Sequence, residues 1–439
     1  MRDLILAGIL LLALPVSLVR PFLAVALFAW ISLMNPHRLS WGFAYDMPWA
    51  QMYAAAAAVS ILLIEPRYLL DSLRRYWLPF SYLAWMFITT MMAANQEEAW
   101  RLLKEAWKIH LMCMLTLAVL TNRRRIIAMT AVVTGSIAFY GVKGGLFTLQ
   151  GGGGLIWGPP SSAIADNNHL AAALVMILPL LYWAGTIVTR RWQRISLFAC
   201  QGLIAVSILG SGSRGAFLAV LSVGAMLVLR GKNWFRAALV VLIVGAAAAA
   251  VMPDSYWKRI DTISQYEQDG SAMGRIHTWK IATRIANEQI TGAGFSYYGT
   301  WIYARHADNP EQVHSSHSIY FQALGEHGWI GLMLFLAILT SFWRQCARLI
   351  ARAGQSGDEV IDRLARMMQV SLVGYMSAGL FVNIGNWDGL YFMYVIVLSL
   401  SRRQEQADQA QEQTPTTTMT GASPPWKAGS SPAIGRQRA

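Results

Sequence analysis

Charge is what this 439-residue chain has least of: 13% of its residues are Asp, Glu, Lys or Arg and 55% are hydrophobic, against about 25% charged in an ordinary soluble domain. That imbalance excludes the string of about two or three water-soluble domains that the length alone would suggest. Cysteine is scarce as well. Cys113, Cys200 and Cys346 are the only three and share no close spacing, which excludes a disulfide framework and a cysteine zinc cluster. Alternation of period two is missing too, and with it the signature of a transmembrane barrel, whose strands show alternating segments of about ten residues. Acidic residues are outnumbered, but the net charge of +13 sits in short basic clusters between apolar runs. Membrane topology accounts for such clusters, so nucleic acid is not an expected partner.

What is present is apolar sequence of membrane length. A helix needs about 20 residues to cross the hydrocarbon core, and Leu170–Val188, Ile195–Leu209, Gly215–Leu229, Ala237–Met252, Ile319–Phe342 and Met367–Val382 approach or reach that length. The expected fold class is all-α, a polytopic membrane helical bundle with about 12 transmembrane helices. Lys and Arg gather in cytoplasmic loops. The clusters EPRYLLDSLRRYW (65–77), TNRRR (121–125), RRWQR (190–194), RGKNWFR (230–236), WRQCARLIARAG (343–354) and SRR (401–403) therefore mark one side of the membrane. Two crossings separate each from the next, and the stretches between them face the opposite, periplasmic or extracellular, side.

The first 34 residues contain Pro15 and Pro21 and read as one long kinked span or two short ones. With a cytoplasmic N-terminus, parity requires one crossing there and about twelve in all, with about thirteen as the alternative. No small-residue cleavage site follows in signal-peptide form, so the segment is expected to be retained. Three regions result: an N-terminal transmembrane region (1–164), a second transmembrane domain (165–400) and a tail (401–439). The second domain includes an external loop, 253–316, expected to carry short helices. The tail is polar and rich in Pro, Ser and Thr, a composition expected to be disordered, here on the cytoplasmic side.

Chemistry concentrates in three stretches. HSSHSIYFQALGEHGWIGL (314–332) opens where the external loop re-enters the membrane and holds His314 and His317. On a helix these two would stand about 60° apart and share a face. Glu326 would point away, His327 would lie almost three turns deeper, and the HExxH pattern is absent, so no metal site is expected. A base is the better reading: an imidazole titrates near neutrality and can accept a proton from a hydroxyl. His317 is the candidate, and His314 takes a supporting or capping role with Ser315 and Ser316.

LGSGSRGAFLAV (209–220) puts Arg214 at the external end of two closely connected helices, against the positive-inside preference. An Arg there lines a cavity or meets an anion, or else snorkels to the headgroups from a simple turn. The neighbouring Gly and Ser residues allow helices to approach closely. GSAMGRIHTWKIATRIANE (270–288) suits a short amphipathic helix lying on the bundle, with Arg275 and Lys280 adding external positive charge. A guanidinium fork fits phosphate oxygens. Weaker features are ADNNHLAAAL, where Asp166 or Asn167 caps a helix and His169 is a minor candidate, and the glycine run LQGGGGLIWGPPSS, which lacks the GK[ST] ending of a phosphate loop.

The order of SGSRGAF with Arg214, GRIHTWK with Arg275 followed by TGAGFSYYG, and HSSHSIYFQALGEHGWIGL resembles the O-antigen ligase family of bacterial envelope enzymes over roughly residues 165–400. In that family the last piece usually reads His-Asn, then an aromatic or aliphatic pair, then an acidic residue and Gly. Here it is His317-Ser318, then Glu326, His327 and Gly328. The opening MRDLILAGILLLALPVSLVRPF and LMNPHRLSWGFAYDMPWA look like the N-terminal region of ligases associated with exosortase gene clusters.

The resemblance implies transfer of a glycan from undecaprenyl diphosphate to an acceptor hydroxyl on the periplasmic face of the bacterial inner membrane, without a metal or other cofactor. The implied partners are the lipid-linked glycan donor, lipid A-core or another hydroxyl acceptor, and the bilayer. Arg214 and Arg275 then meet the donor diphosphate, where cations stabilise the leaving charge. His317 takes the acceptor proton with His314 in support, and attack opposite the leaving group inverts the sugar. An O-antigen polymerase and a protein O-glycosylation ligase share this chemistry. A transporter for an anionic lipid or sugar is the reading from another class, and internal repeats, which many transporters show, are not evident.

Overall fold

The structure is a computed structural model that describes residues 1–152, 155–230, 270–307, 310 and 313–412. Every long element is a helix: α1 (Arg2–Val19), α2 (Pro21–Met34), α3 (Trp49–Ile64), α4 (Leu69–Arg75), α5 (Trp77–Met91), α6 (Gln96–Val119), α7 (Arg123–Leu149), α8 (Asn167–Ile187), α9 (Arg191–Gly210), α10 (Arg214–Arg230), α11 (Gly270–Glu288), α12 (Thr300–His306), α13 (Ile319–Ser356), α14 (Glu359–Ala378) and α15 (Asp388–Glu412). Four starts are set by side-chain caps. Asn95, Asn122, Asp166 and Asp358 each accept a backbone N–H of the first turn, satisfying a donor that the helix itself leaves unpaired.

Among the described residues five helices are long and apolar enough to cross a membrane, or six if α3 is counted with the segment Pro66–Arg75, bent from it by 96°. Large apolar side chains face outward, among them Leu4, Leu12, Trp192, Phe198, Leu229 and Met333. Lipid, not water, suits such a surface. Proline decides the N-terminus: α1 ends at Arg20 and Pro21 begins α2, so the first apolar stretch forms two helices. The span expected at Ala237–Met252 lies outside the described residues, as do 253–269 of the external loop. The expected tail is corrected at its start. Helix α15 continues to Glu412 because its residues just past 400 still find partners: Arg402 is 2% exposed, and Ser401 bonds to Gln345 at 3.0 Å.

Close helix contact comes from small residues. On α7, a Cβ added at Gly145 would meet the Leu203 carbonyl oxygen of α9 at 2.1 Å, and one at Gly141 would meet Ile204 and Leu174 side chains at 2.6 Å. Backbones can approach this closely only where side chains are missing. The polar groups divide between two ends of the bundle. At one, Arg125 pairs with Glu65 at 2.8 Å, Arg75 with Glu405 at 2.8 Å and Arg123 with Asp358 at 3.2 Å. Buried Arg402 reaches the Leu120 carbonyl at 2.8 Å and Asp71 at 3.5 Å. Four of the basic clusters (65–77, 121–125, 343–354 and 401–403) meet here, since Arg352 near the end of α13 pairs with Asp408. Helix α13 begins at the opposite end, two residues after His317.

Candidate active site

Five pieces of chain converge at that opposite end: the start of α8, the turn before α10, α11, the segment 313–318 before α13, and the segment 379–387 between α14 and α15. Asn167 at the start of α8 donates to the Ser211 carbonyl at 2.9 Å, which fixes the SGSRG turn and hence Arg214 at the first position of α10. Next along the chain, Gly215 lies against Phe381, since a Cβ there would meet Phe381 Cβ at 2.7 Å. The Arg275 guanidinium of α11 sits over the same Phe381 ring, 5.9 Å from its centroid. Phe381 thus meets Arg275 of α11 and, on α10, the glycine next to Arg214.

His314 and His317 occupy different settings. His314 is exposed and is tied by its backbone: Tyr303 Oη donates to its carbonyl at 2.6 Å and accepts its N–H at 3.2 Å. Its ring rests on Gly274, where an added Cβ would meet His314 Cδ2 at 3.0 Å. His317 is half-buried and has φ 42°, the left-handed region that a non-glycine residue adopts at a cost of about 1–3 kcal/mol. Its neighbours hold it there. The Asn383 Oδ1 accepts from Ser316 Oγ at 2.8 Å and from the Ser318 N–H at 2.8 Å, while the Trp279 indole of α11 donates to the Ser316 carbonyl at 2.8 Å.

Burial lowers the affinity of His317 for a proton, and the positive charge of Arg275 lowers it further. Both disfavour the imidazolium. Among the described residues, no three His, Cys, Asp or Glu side chains gather as a metal site. Sequence reading missed Asn383. Ser318 stands where the family pattern has Asn, and the amide that meets this position comes from Asn383 instead. Its N–H also reaches His169 Nε2 at 3.4 Å, while His169 Nδ1 lies 3.1 Å from the Ala163 carbonyl. The sequence signal was FVNIGN, two amides in an otherwise apolar stretch.

The remaining polar residues of the motif are structural. Glu326 is 2% exposed, and its Oε1 accepts the Ser296 N–H at 3.2 Å. His327 Nδ1 bonds with Thr89 Oγ1 at 2.8 Å. The backbone of TGAGF locks onto the same turn, Ala293 and Gly294 donating to the Gly325 and Glu326 carbonyls at 3.0 and 2.9 Å. The glycine-rich stretch after α11 and the GEHG of α13 therefore grip each other.

Residues 198–336 match the family model described as O-Antigen ligase, a stretch holding both arginines and both histidines. This match supports assigning the stretch to the O-antigen ligase family. Residues 1–189 match a family of unknown function, DUF5935. Comparison with curated proteins gives no match. The first match ends in the short connection between α8 and α9, and the second begins within α9. The matched segment thus contributes most of α9, α10 to α12 and the first half of α13, while Asn383 reaches the serines on either side of His317, and Phe381 reaches Arg275, from beyond it. With the apolar helices, the match supports a multi-pass membrane protein with a glycan ligase or polymerase type of function, acting on a glycan donor and an acceptor.

Proposed function

We propose that the protein is an inverting, metal-independent glycan ligase. It moves an oligo- or polysaccharide from undecaprenyl diphosphate to an acceptor hydroxyl, lipid A-core being the leading candidate, on the periplasmic face of the inner membrane. The carrying observation is the pairing of a half-buried imidazole, biased towards its neutral form, with the Arg275 guanidinium that biases it. In the transfer, the bond between sugar C1 and the diphosphate oxygen breaks as C1 bonds to the acceptor oxygen from the opposite side. The acceptor proton passes to His317. Negative charge grows on the departing diphosphate, where preorganised cations are most effective, and Arg214 and Arg275 fill that role. His314, exposed beside Gly274, supports the loop.

Convergence of four of the basic clusters at the other end of the bundle supports the periplasmic assignment, because Lys and Arg are retained on the cytoplasmic side. The test is transfer by purified protein in detergent, using undecaprenyl-diphosphate-linked glycan and lipid A-core. Product should form in wild type with and without EDTA and be lost in His317→Ala but not in His314→Ala. Loss with EDTA, or full activity of His317→Ala, would sink the mechanism. Transfer to a protein hydroxyl or to a second carrier-linked glycan, but not to lipid A-core, would reassign the acceptor.

A further inference from the structure

Helix α11 has a second working face. A cavity of about 400 Å³ lies along its outer side, lined by Trp279, Lys280, Thr283, Arg284 and Asn287 and, from α13, Phe321. That volume falls within the range of small-ligand sites, about 300–1,000 Å³. The Trp279 and Phe321 rings are stacked, centroids 4.7 Å apart and planes within 6°. Beside this aromatic wall stand two cations: Lys280 is exposed, and Arg284 is steadied by donating to the His306 carbonyl at 2.8 Å. An aromatic face next to amide and cationic donors suits a saccharide that bears an anionic group.

The cavity joins the reaction centre at one end. Trp279 donates to Ser316, the residue before His317, and Arg275 lies one turn before Trp279 on the same helix. At the other end Asn287 Oδ1 accepts from the Trp329 indole at 3.0 Å. Trp329 is 44% and Ile290 68% exposed, as befits side chains at a lipid–water boundary, where Trp is enriched. From Arg275 to Asn287 the helix rises about 18 Å. The groove thus leads from the base to the membrane surface, the route needed by a sugar attached to a lipid. Arg214 and Arg275 already serve the donor diphosphate, so a second cationic site beyond them fits the second substrate.

We propose that this groove binds the anionic saccharide of the acceptor glycolipid, with a sugar against Trp279 and Phe321 and its phosphate or carboxylate on Lys280 and Arg284. The proposal rests on the acceptor side of the transfer above, and its test separates the two. Binding of lipid A-core to the full-length protein in detergent, without donor, is followed by tryptophan fluorescence, and acceptor KM is measured in the transfer assay. The probes are native lipid A-core and the same material dephosphorylated. Lys280→Gln should weaken binding of the native probe and raise its KM about fivefold with kcat unchanged. Thr283→Trp, which fills the groove, should weaken both probes. The dephosphorylated probe should bind wild type and Lys280→Gln equally. Binding that depends on Lys280 without any transfer would keep the groove and overturn the ligase reading. Transfer with identical KM in wild type, Lys280→Gln and Thr283→Trp would overturn the groove and keep the ligase.

Discussion

At His317 two effects act on the same side chain: the backbone is held at φ 42°, and burial, then Arg275, shifts the imidazole below its ordinary value of 6.5. The base is the neutral form, so activity is present above the shifted value and falls as pH drops through it. The acid limb of kcat/KM is accordingly expected below pH 6.5. Arg275→Gln removes the second cause and leaves burial, so the limb should move to higher pH in addition to a loss of rate; an unmoved limb would uncouple the two residues. His317→Ala should lower kcat by about 10²-fold or more. Asn383 acts through His317. Asn383→Leu removes the acceptor for Ser316 and Ser318 and should cost about tenfold or more in kcat through misplacement of the base. Asn383→Asp keeps that acceptor and should recover most of the rate, with its acid limb raised because a carboxylate favours the charged imidazole. Equal loss in both variants, with no movement of the limb, would make Asn383 merely structural.

The element whose shape matters most is α13. It is bent at Gly328, with φ 66° and ψ −170°, and a Cβ there would meet the Ile290 carbonyl oxygen at 2.3 Å. Both conformation and contact require glycine. The bend lets the first turns of α13 lie beside α11 while the rest runs into the bundle, so the segment before it can present His317 to Arg275. Gly328→Ala should therefore destabilise the protein by about 1–3 kcal/mol, read as a lowered melting temperature in detergent, and should reduce kcat although the residue lies three turns from the base. A variant with unchanged melting and unchanged kcat would show that the bend is not needed.

Across the whole molecule, ion pairs tie basic clusters together at one end and the candidate site occupies the other. The arrangement predicts sidedness. In a variant with its native cysteines replaced, a cysteine at Thr300, exposed between α11 and α13, should react with a membrane-impermeant maleimide in intact spheroplasts. One at Arg191, exposed at the start of α9, should react only after permeabilisation. Labelling of both from outside, or the reverse order, would overturn the topology and with it the periplasmic site.

Length, hydropathy and the position of basic residues are properties of the chain read in one dimension, and they were enough for an all-α membrane bundle and the helix over 270–288. Motif order added Arg214, Arg275 and His317. Other features depend on distances between segments. Asn383 acts on Ser316 from 67 positions away, Phe381 meets Arg275 of α11 and Gly215 of α10, and the aromatic wall of the groove on α11 forms because Phe321 of α13 stacks on Trp279. Pro21 could kink a span or end one, and the structure places it at the first position of a second helix. Residues 401–412 read as tail by composition, yet Arg402 gains a buried carbonyl and a carboxylate partner. A hydrogen bond or stacked pair forms between atoms that folding brings together, and their separation along the chain does not encode it.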